Sequence, residues 1–307
     1  MKLISAIFTC FLTFFTKPVK SQKIEKVYLR PKDSSTLYYC AIVPSEKKFN
    51  GILILMPEFG ETPEYVLLQT NLPKLAAQNQ LLTIIPILQD GVYSFGVDRI
   101  SQNYLNNIID SVLVKYHISP LKLIIGGFSI GGSTAIKYAE TATIKPRAVF
   151  AIDPPLDFER FYNAAKRSTR ISTNKIANTE NHYMIKKLEK LTGGTPTSKR
   201  ISYQDLSPYS MSDTTQKAIK PLTKIPIRIY SEPDIYWWMK NRNMDVASLN
   251  IIDGSACINE LQLLGNKDAR LILTTEKGFR NPNHLRHPHS WSIVENKKLI
   301  QWIIKKI

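Results

Sequence analysis

Short apolar runs recur along the chain, and most are followed by a segment with helical spacing. Residues 51–57 (GILILMP) form a continuous apolar run, which is typical of a strand buried on both faces. The strands predicted in this way are 26–30, 37–44, 51–57, 81–88, 122–129, 147–154, 225–232 and 269–276. The helices predicted between and after them are 63–80, 101–118, 131–142, 246–265 and 291–307. This alternation predicts an α/β fold with a mainly parallel central sheet flanked by helices.

One long segment interrupts this alternation. Residues 156–220 carry many charges and Ser/Thr/Asn clusters, with helical pieces where a single connecting helix would suffice. Insertions at the carboxyl ends of parallel strands overhang the ligand crevice. We therefore expect residues 156–220 to form a cap inserted into the α/β domain.

The first 21 residues have a different composition from the rest. Lys2 precedes an apolar run over residues 3–15, and the small residue Ser21 offers a cleavage position. This pattern predicts a secretory signal, with residues 22–307 as the mature domain and a secreted or periplasmic location. The apolar run is too short for a permanent bilayer anchor, so no stable membrane insertion is expected.

Charge and cysteine content bear on two further questions, a nucleic-acid partner and a disulfide framework. The chain has a formal net charge of +16, which falls to +13 (38 basic and 25 acidic residues) without residues 1–21. The lysines are scattered and form no basic run, so a nucleic-acid partner is not expected. Beyond the signal only Cys40 and Cys257 remain, which is too few for a disulfide framework.

The candidate nucleophile is a serine between glycines. Gly127, Ser129 and Gly131 match G-x-S-x-G where a predicted strand passes into a predicted helix. Such a turn lifts the serine hydroxyl above the strand end and exposes the next amide, that of Ile130, at the helix N-terminus. A serine used only for close packing would need no partners elsewhere, whereas a nucleophile needs a base and an acid.

The base is expected in the loop after the last predicted strand. That loop holds His284, His287 and His289, and in folds with this motif the acid and then the histidine follow the serine along the chain. We predict His289, because it directly precedes the C-terminal helix and is anchored on both sides. His287 and then His284 are the alternatives.

Three carboxylates are candidates for the acid. Asp234 follows a predicted strand and precedes a helix in SEPDIYWW, which makes it the first choice. Glu232 in the same segment is one alternative. Asp153, at the end of the preceding predicted strand, is the other, although such residues more often cap helices.

The acyl-transfer chemistry also requires donors for the oxyanion of the tetrahedral intermediate. One is the Ile130 amide, and the second is expected from the loop after residues 51–57. Pro57 in that loop has no N–H to donate. We therefore predict the Phe59 amide, with Glu58 as the alternative and Gly60 allowing the loop to curl.

With these residues the chain resembles the α/β-hydrolase superfamily, and within it secreted bacterial esterases. The resemblance covers about residues 37–307 and depends on GGFSIGG, SEPDIYWW and HPHSWS. It implies an α/β-hydrolase fold with the triad Ser129, Asp234 and His289, an inserted cap, no metal and no organic cofactor.

These features predict a secreted serine hydrolase, of the carboxylesterase type, acting on a small-molecule ester. A serine peptidase or acyltransferase on the same fold, or a non-catalytic binding protein that retains it, are the alternatives. Trp237 and Trp238 could line a pocket for a sugar or an aromatic group, or belong to the core.

Overall fold

The computed structural model describes residues 22–30, 33–46, 48–172 and 175–307. The predicted signal, residues 1–21, lies outside the described residues, so it stays a prediction. Across the described ranges, no helix is both long and apolar enough to cross a membrane.

Eight of the ten strands in the described ranges form one sheet, in the order β1-β2-β4-β3-β5-β6-β7-β8. The strands are β1 (Lys23–Tyr28), β2 (Tyr38–Val43), β3 (Gly51–Met56), β4 (Leu81–Ile87), β5 (Leu123–Phe128), β6 (Ala148–Ile152), β7 (Ile227–Ser231), β8 (Ala269–Leu273), β9 (Phe279–Arg280) and β10 (Leu285–Arg286). β2 pairs antiparallel with β1 and β4, and all later neighbours are parallel. The carboxyl ends of β3, β5, β6 and β7 therefore meet at one edge.

Helices cover both faces of the sheet. They are α1 (Pro63–Gln69), α2 (Leu72–Gln78), α3 (Arg99–Lys115), α4 (Ile130–Thr141), α5 (Phe158–Ile171), α6 (Lys175–Thr192), α7 (Arg200–Leu206), α8 (Ile235–Arg242), α9 (Ile251–Leu263) and α10 (Asn296–Ile304). Side chains of α3, α4 and α9 pack into the core on one face, and those of α1, α2 and α10 on the other. Every residue of β3, β4, β5 and β6 is buried as a result.

The predicted α/β class with a mainly parallel sheet is confirmed, but some helix bounds differ. The helix predicted over 63–80 is divided into α1 and α2. Thr70 between them has extended backbone angles, and Pro73 stands in the first turn of α2, where its missing N–H costs no hydrogen bond. The last α-helix begins at Asn296 rather than at residue 291, after a short 3₁₀ turn.

The segment 156–220, called the insertion below, connects β6 to β7 and contains α5, α6 and α7. Its apolar side chains, which include Phe158 and Met184, form a small cluster together with Phe95 and Ile130 of the α/β core. Partly buried Phe59 packs against the same cluster. The insertion thus lies against the residues that follow β3 and β5.

Two charged side chains, one buried and one mostly buried, attach the insertion to the α/β core. Lys137 on α4 donates hydrogen bonds to the carbonyl oxygens of Asp205 (2.7 Å) and Ser207 (3.1 Å) at the end of α7. Arg160 on α5 donates to Asp253 on α9, with Nη2 2.8 Å from Oδ2. Burial raises the pKa of the fully buried Asp253, and Arg160 opposes this shift.

Arg160→Met is expected to lower the free energy of unfolding by about 3 kcal/mol, because it leaves the Asp253 carboxylate buried without its cation. Chemical denaturation followed by circular dichroism measures the change. Arg167→Met on the same helix is the matched control. Arg167 pairs with Asp245, and both side chains are well exposed (42% and 39%), so that change should cost at most about 1 kcal/mol. Equal losses in the two variants would contradict the expectation.

Candidate active site

Ser129 occupies a strained turn between β5 and α4. Its backbone angles are φ 52° and ψ −125°, outside the regions that non-glycine residues usually adopt. Strain of this kind costs on the order of 1–3 kcal/mol and is typical of functional sites. The flanking glycines allow the turn: a Cβ on Gly131 would lie 2.3 Å from the Met56 carbonyl oxygen, and one on Gly127 would lie 2.5 Å from the Gly131 backbone. The sequence motif therefore has a steric cause.

His289 is oriented by Asp153. Its Nδ1 lies 2.6 Å from Asp153 Oδ2, and the two side chains are only 15% and 12% exposed. Asp153 directly follows β6, and its other oxygen, Oδ1, accepts a hydrogen bond from Ser231 Oγ at 2.6 Å. The His289 ring packs against Phe128, the residue before Ser129, with ring centroids 4.5 Å apart. The structure thus brings the predicted base and an acid together at the carboxyl edge of the sheet, and the base packs against the residue that precedes the predicted nucleophile.

The structure does not bring Asp234, the acid of first choice, to His289. Asp234 Oδ1 accepts from the Trp237 amide at 3.0 Å and caps α8, while Oδ2 accepts from Arg286 Nη2 at 2.8 Å. Asp153, the alternative after β6, takes the place predicted for Asp234. The reason is topological, because β6 lies directly beside β5 and β7 lies one strand further from Ser129.

Glu232, the other alternative, is buried and also serves the histidine loop. Its carboxylate accepts from the Lys277 amide (2.8 Å) and the Gly278 amide (3.2 Å), and it forms an ion pair with Arg286 (2.6 Å). It therefore fixes the start of the loop that carries His289 without contacting the imidazole.

The two neighbouring histidines have other environments. The ring of His287 packs against Trp237 and Trp238, with centroids 4.9 and 5.6 Å apart. Burial lowers the pKa of His287 to about 2, so its imidazole is neutral across the ordinary pH range. His284 is exposed and stacks on Phe279. Neither ring takes the contact with Asp153.

The loop after β3 leaves one amide available for an oxyanion. The Glu58 amide donates to Glu61 Oε2 (3.0 Å), the Gly60 amide to the Val92 carbonyl (2.8 Å) and the Glu61 amide to the Glu58 carbonyl (3.2 Å). Pro57 has no amide proton. Within the described residues no acceptor contacts the amide of Phe59 or that of Ile130 at the start of α4. The two predicted donors are therefore unengaged, whereas the alternative, Glu58, is occupied.

The sequence analysis missed a charged group between this loop and His289. Arg280 donates from Nε (3.1 Å) and Nη2 (2.9 Å) to the His289 carbonyl oxygen, and Nη2 lies 3.4 Å from Glu58 Oε2. Burial raises the pKa of Glu58, and the charge of Arg280 opposes this shift. The available signal was the pair of acids in PEFGE directly after a buried strand.

A cavity of about 100 Å³ adjoins Asp153 and His289. Its other walls come from the insertion, from the end of β7 and from α8 and the segment after it, and they mix apolar with polar side chains. They are Phe161, Ser231, Glu232, Pro233, Trp238, Met244, Ser248, Leu249 and Asn250. Trp238 thus lines the cavity. The Trp237 ring packs edge-on against the Trp238 ring, with centroids 5.2 Å apart.

No feature of the described ranges indicates a metal or disulfide centre. They contain no group of three or more His, Cys, Asp or Glu side chains arranged to hold a metal ion. Cys40 and Cys257 are both buried as free thiols, and burial raises the pKa of each. Thiolate chemistry is therefore disfavoured at both positions.

Comparisons with known proteins give relatives by structure and none by sequence. No protein-family model matches the sequence, and a search of curated proteins finds no related sequence. An S-formylglutathione hydrolase from Agrobacterium tumefaciens is similar in structure, with a TM-score of 0.58 and 13% identity over 93% of this chain and 98% of that one. The serine hydrolase FphF from Staphylococcus aureus gives 0.58 and 14% over 92% and 98%. An acetyl xylan esterase from Aspergillus awamori gives 0.55 and 13% over 92% and 98%.

Identities this low establish the fold and leave the activity to be argued from the site. The TM-scores extend over nearly the full length of this chain and of each neighbour, and the chain itself has a mostly parallel eight-stranded sheet with a strained serine between β5 and α4. The chain has the α/β-hydrolase fold.

Proposed function

We propose that the protein is a serine hydrolase that cleaves small-molecule carboxylic esters through Ser129, His289 and Asp153. The observation that carries the proposal is the 2.6 Å contact between His289 Nδ1 and Asp153 Oδ2, next to a serine in a strained turn. A serine hydroxyl becomes a useful nucleophile only when an oriented base takes its proton.

The first half of the reaction forms an acyl-enzyme. Because Asp153 accepts a hydrogen bond from Nδ1–H, the other ring nitrogen of His289, Nε2, is unprotonated. Nε2 takes the proton of Ser129 Oγ as that oxygen attacks the ester carbonyl carbon. The carbonyl oxygen becomes negatively charged and accepts hydrogen bonds from the Ile130 and Phe59 amides. The buried Asp153 carboxylate stabilises the imidazolium formed at His289.

The second half releases the products. The tetrahedral intermediate collapses as His289 gives its proton to the leaving alkoxide, and the alcohol departs. Water then enters, loses a proton to His289 and attacks the acyl carbon. The second tetrahedral intermediate collapses as His289 gives this proton to Ser129 Oγ, which releases the carboxylic acid and restores the serine hydroxyl.

The structural neighbours also support a hydrolase of esters, since they include proteins named as an S-formylglutathione hydrolase and an acetyl xylan esterase. The predicted signal in residues 1–21 further suggests that the enzyme works outside the cytoplasm, in the periplasm or the medium.

Labelling with a fluorophosphonate, followed by peptide mass spectrometry, tests the proposal. The probe is expected to add a phosphonyl group to Ser129 Oγ with loss of fluoride. Hydrolysis of p-nitrophenyl acetate should fall in proportion to the fraction of protein labelled. Protein denatured before labelling is the control and should not react. A folded protein that neither reacts with the probe nor hydrolyses the ester would favour a binding protein that retains the fold.

A further inference from the structure

The carboxyl group of Glu61 is buried between the oxyanion loop and the histidine loop. The residue is 2% exposed, and both carboxyl oxygens accept hydrogen bonds. Oε2 accepts from the Glu58 amide at 3.0 Å, and the Trp291 indole nitrogen Nε1 lies 2.9 Å from Oε1 and 3.1 Å from Oε2. The side chain thus joins two loops that are 230 positions apart in the sequence.

On the side of the oxyanion loop, the carboxyl group determines which amide is free. By accepting from the Glu58 amide it turns that N–H away from the site. The Glu61 amide closes the same turn on the Glu58 carbonyl, and Gly60 is fixed to the Val92 carbonyl. The Phe59 peptide between them is held at both ends, with its own N–H unengaged.

On the side of the histidine loop, the carboxyl group fixes the Trp291 indole. Trp291 stands two residues after His289, and its ring lies 5.4 Å from that of Phe128. Phe128 also contacts the His289 ring and precedes Ser129. The indole therefore packs against the side chain that supports the His289 ring and directly precedes Ser129.

We propose that Glu61 is a positioning residue that fixes the separation between the Phe59 amide and the His289 imidazole at Ser129. The inference rests on the proposed function, since it assigns Phe59 an oxyanion. Phe59 lies on the loop after β3 and His289 follows β10, outside the eight-stranded sheet, so within the described residues their separation depends on contacts between loops rather than on that sheet. Small errors in such a separation are costly, because stabilisation of an oxyanion depends on donors placed about 2.7–3.1 Å from it.

Ionisation of this carboxyl group has an electrostatic cost. Burial, reinforced by the neighbouring Glu58 carboxylate, raises the pKa of Glu61 to about 8. A leucine would fill similar space without that cost but would leave two buried N–H donors without an acceptor. Retention of a costly group at an active centre is typical of a functional role.

Glu61→Leu tests the inference. We expect kcat on p-nitrophenyl acetate to fall by about 10–100-fold, somewhat less than the loss of an oxyanion donor, with KM changed by less than about threefold. Affinity for a trifluoromethyl ketone, which binds Ser129 as a tetrahedral oxyanion, should fall by about the same factor as kcat. A purely structural role would not weaken the tetrahedral analogue while leaving KM in place.

Three further variants complete the test. Glu61→Gln keeps one acceptor oxygen and should recover most of the lost kcat. Glu64→Leu, three residues away with a side chain that is 62% exposed, is the matched control and should change kcat by less than about twofold. Trp291→Phe removes the indole N–H together with the five-membered part of the ring, and should lower kcat by about 3–10-fold even if Glu61→Leu does not fold.

The outcomes separate this inference from the proposed function. An active wild-type protein together with a folded Glu61→Leu or Trp291→Phe variant of unchanged kcat would overturn the role of Glu61 and leave the hydrolase intact. A wild-type protein that does not react at Ser129 would remove both.

Discussion

Ser129→Ala is expected to lower kcat for ester hydrolysis by about 10⁶-fold, because the remaining groups cannot form an acyl-enzyme without the hydroxyl. The fold should survive the change. Removing one oxygen from a turn at the sheet edge creates no large cavity, and alanine meets the same backbone strain as serine. Burst-phase kinetics with p-nitrophenyl acetate measure the loss, and thermal unfolding checks the fold.

Ser255→Ala is the control for this change. Ser255 is an exposed serine on α9, hydrogen-bonded only to the Ile252 carbonyl among the described residues, so its loss should leave both kcat and labelling unchanged. A Ser129→Ala protein with more than about a thousandth of the wild-type kcat would exclude Ser129 as the nucleophile.

Asp153→Asn is expected to lower kcat by about 10⁴-fold, because an amide in this place favours the wrong tautomer of His289 and cannot stabilise the imidazolium. Asparagine is the suitable replacement, since residue 153 has φ 45° and asparagine accepts left-handed angles better than most residues. Single-turnover measurement of acylation reports the effect directly.

Asp234→Asn is the matched comparison, since it removes a carboxylate that lies in the same region and caps α8. We expect it to change kcat by less than about fivefold, because its contacts are with Arg286 and the Trp237 amide rather than with His289. The reverse result, an inactive Asp234→Asn and an active Asp153→Asn, would return the acid to the position first predicted from the sequence.

The sequence alone did not decide which carboxylate contacts His289, because that contact depends on backbone angles and strand order. Asp153 and Asp234 both follow apolar runs and both precede helical segments, so they look alike as patterns. Only the left-handed angles of Asp153 and the adjacency of β6 to β5 turn its carboxylate toward His289. Ser129 was easier to predict, because its turn requires small neighbours that appear directly in the sequence.

Local patterns also explain which parts of the fold were predictable. The runs at residues 51–57 and 81–88 are almost entirely apolar because both faces of these strands are covered, and this gives a strong signal in the sequence. Glu58 and Glu61 gave the opposite signal. Acids in a Pro/Gly-containing loop are expected in solvent, and their burial depends on Arg280 and Trp291, more than 200 positions away.

The attachment of the insertion to the nucleophile helix has a consequence for how molecules reach the site. Lys137 holds the end of α7 to α4, and Arg160 holds α5 to α9, so the insertion is tied to the α/β core at two separate points. Displacement of α5–α7 as one unit therefore requires the loss of both contacts. Since α4 begins directly after Ser129, we expect a substrate to reach the serine without a large movement of the insertion, which would favour narrow molecules over bulky ones.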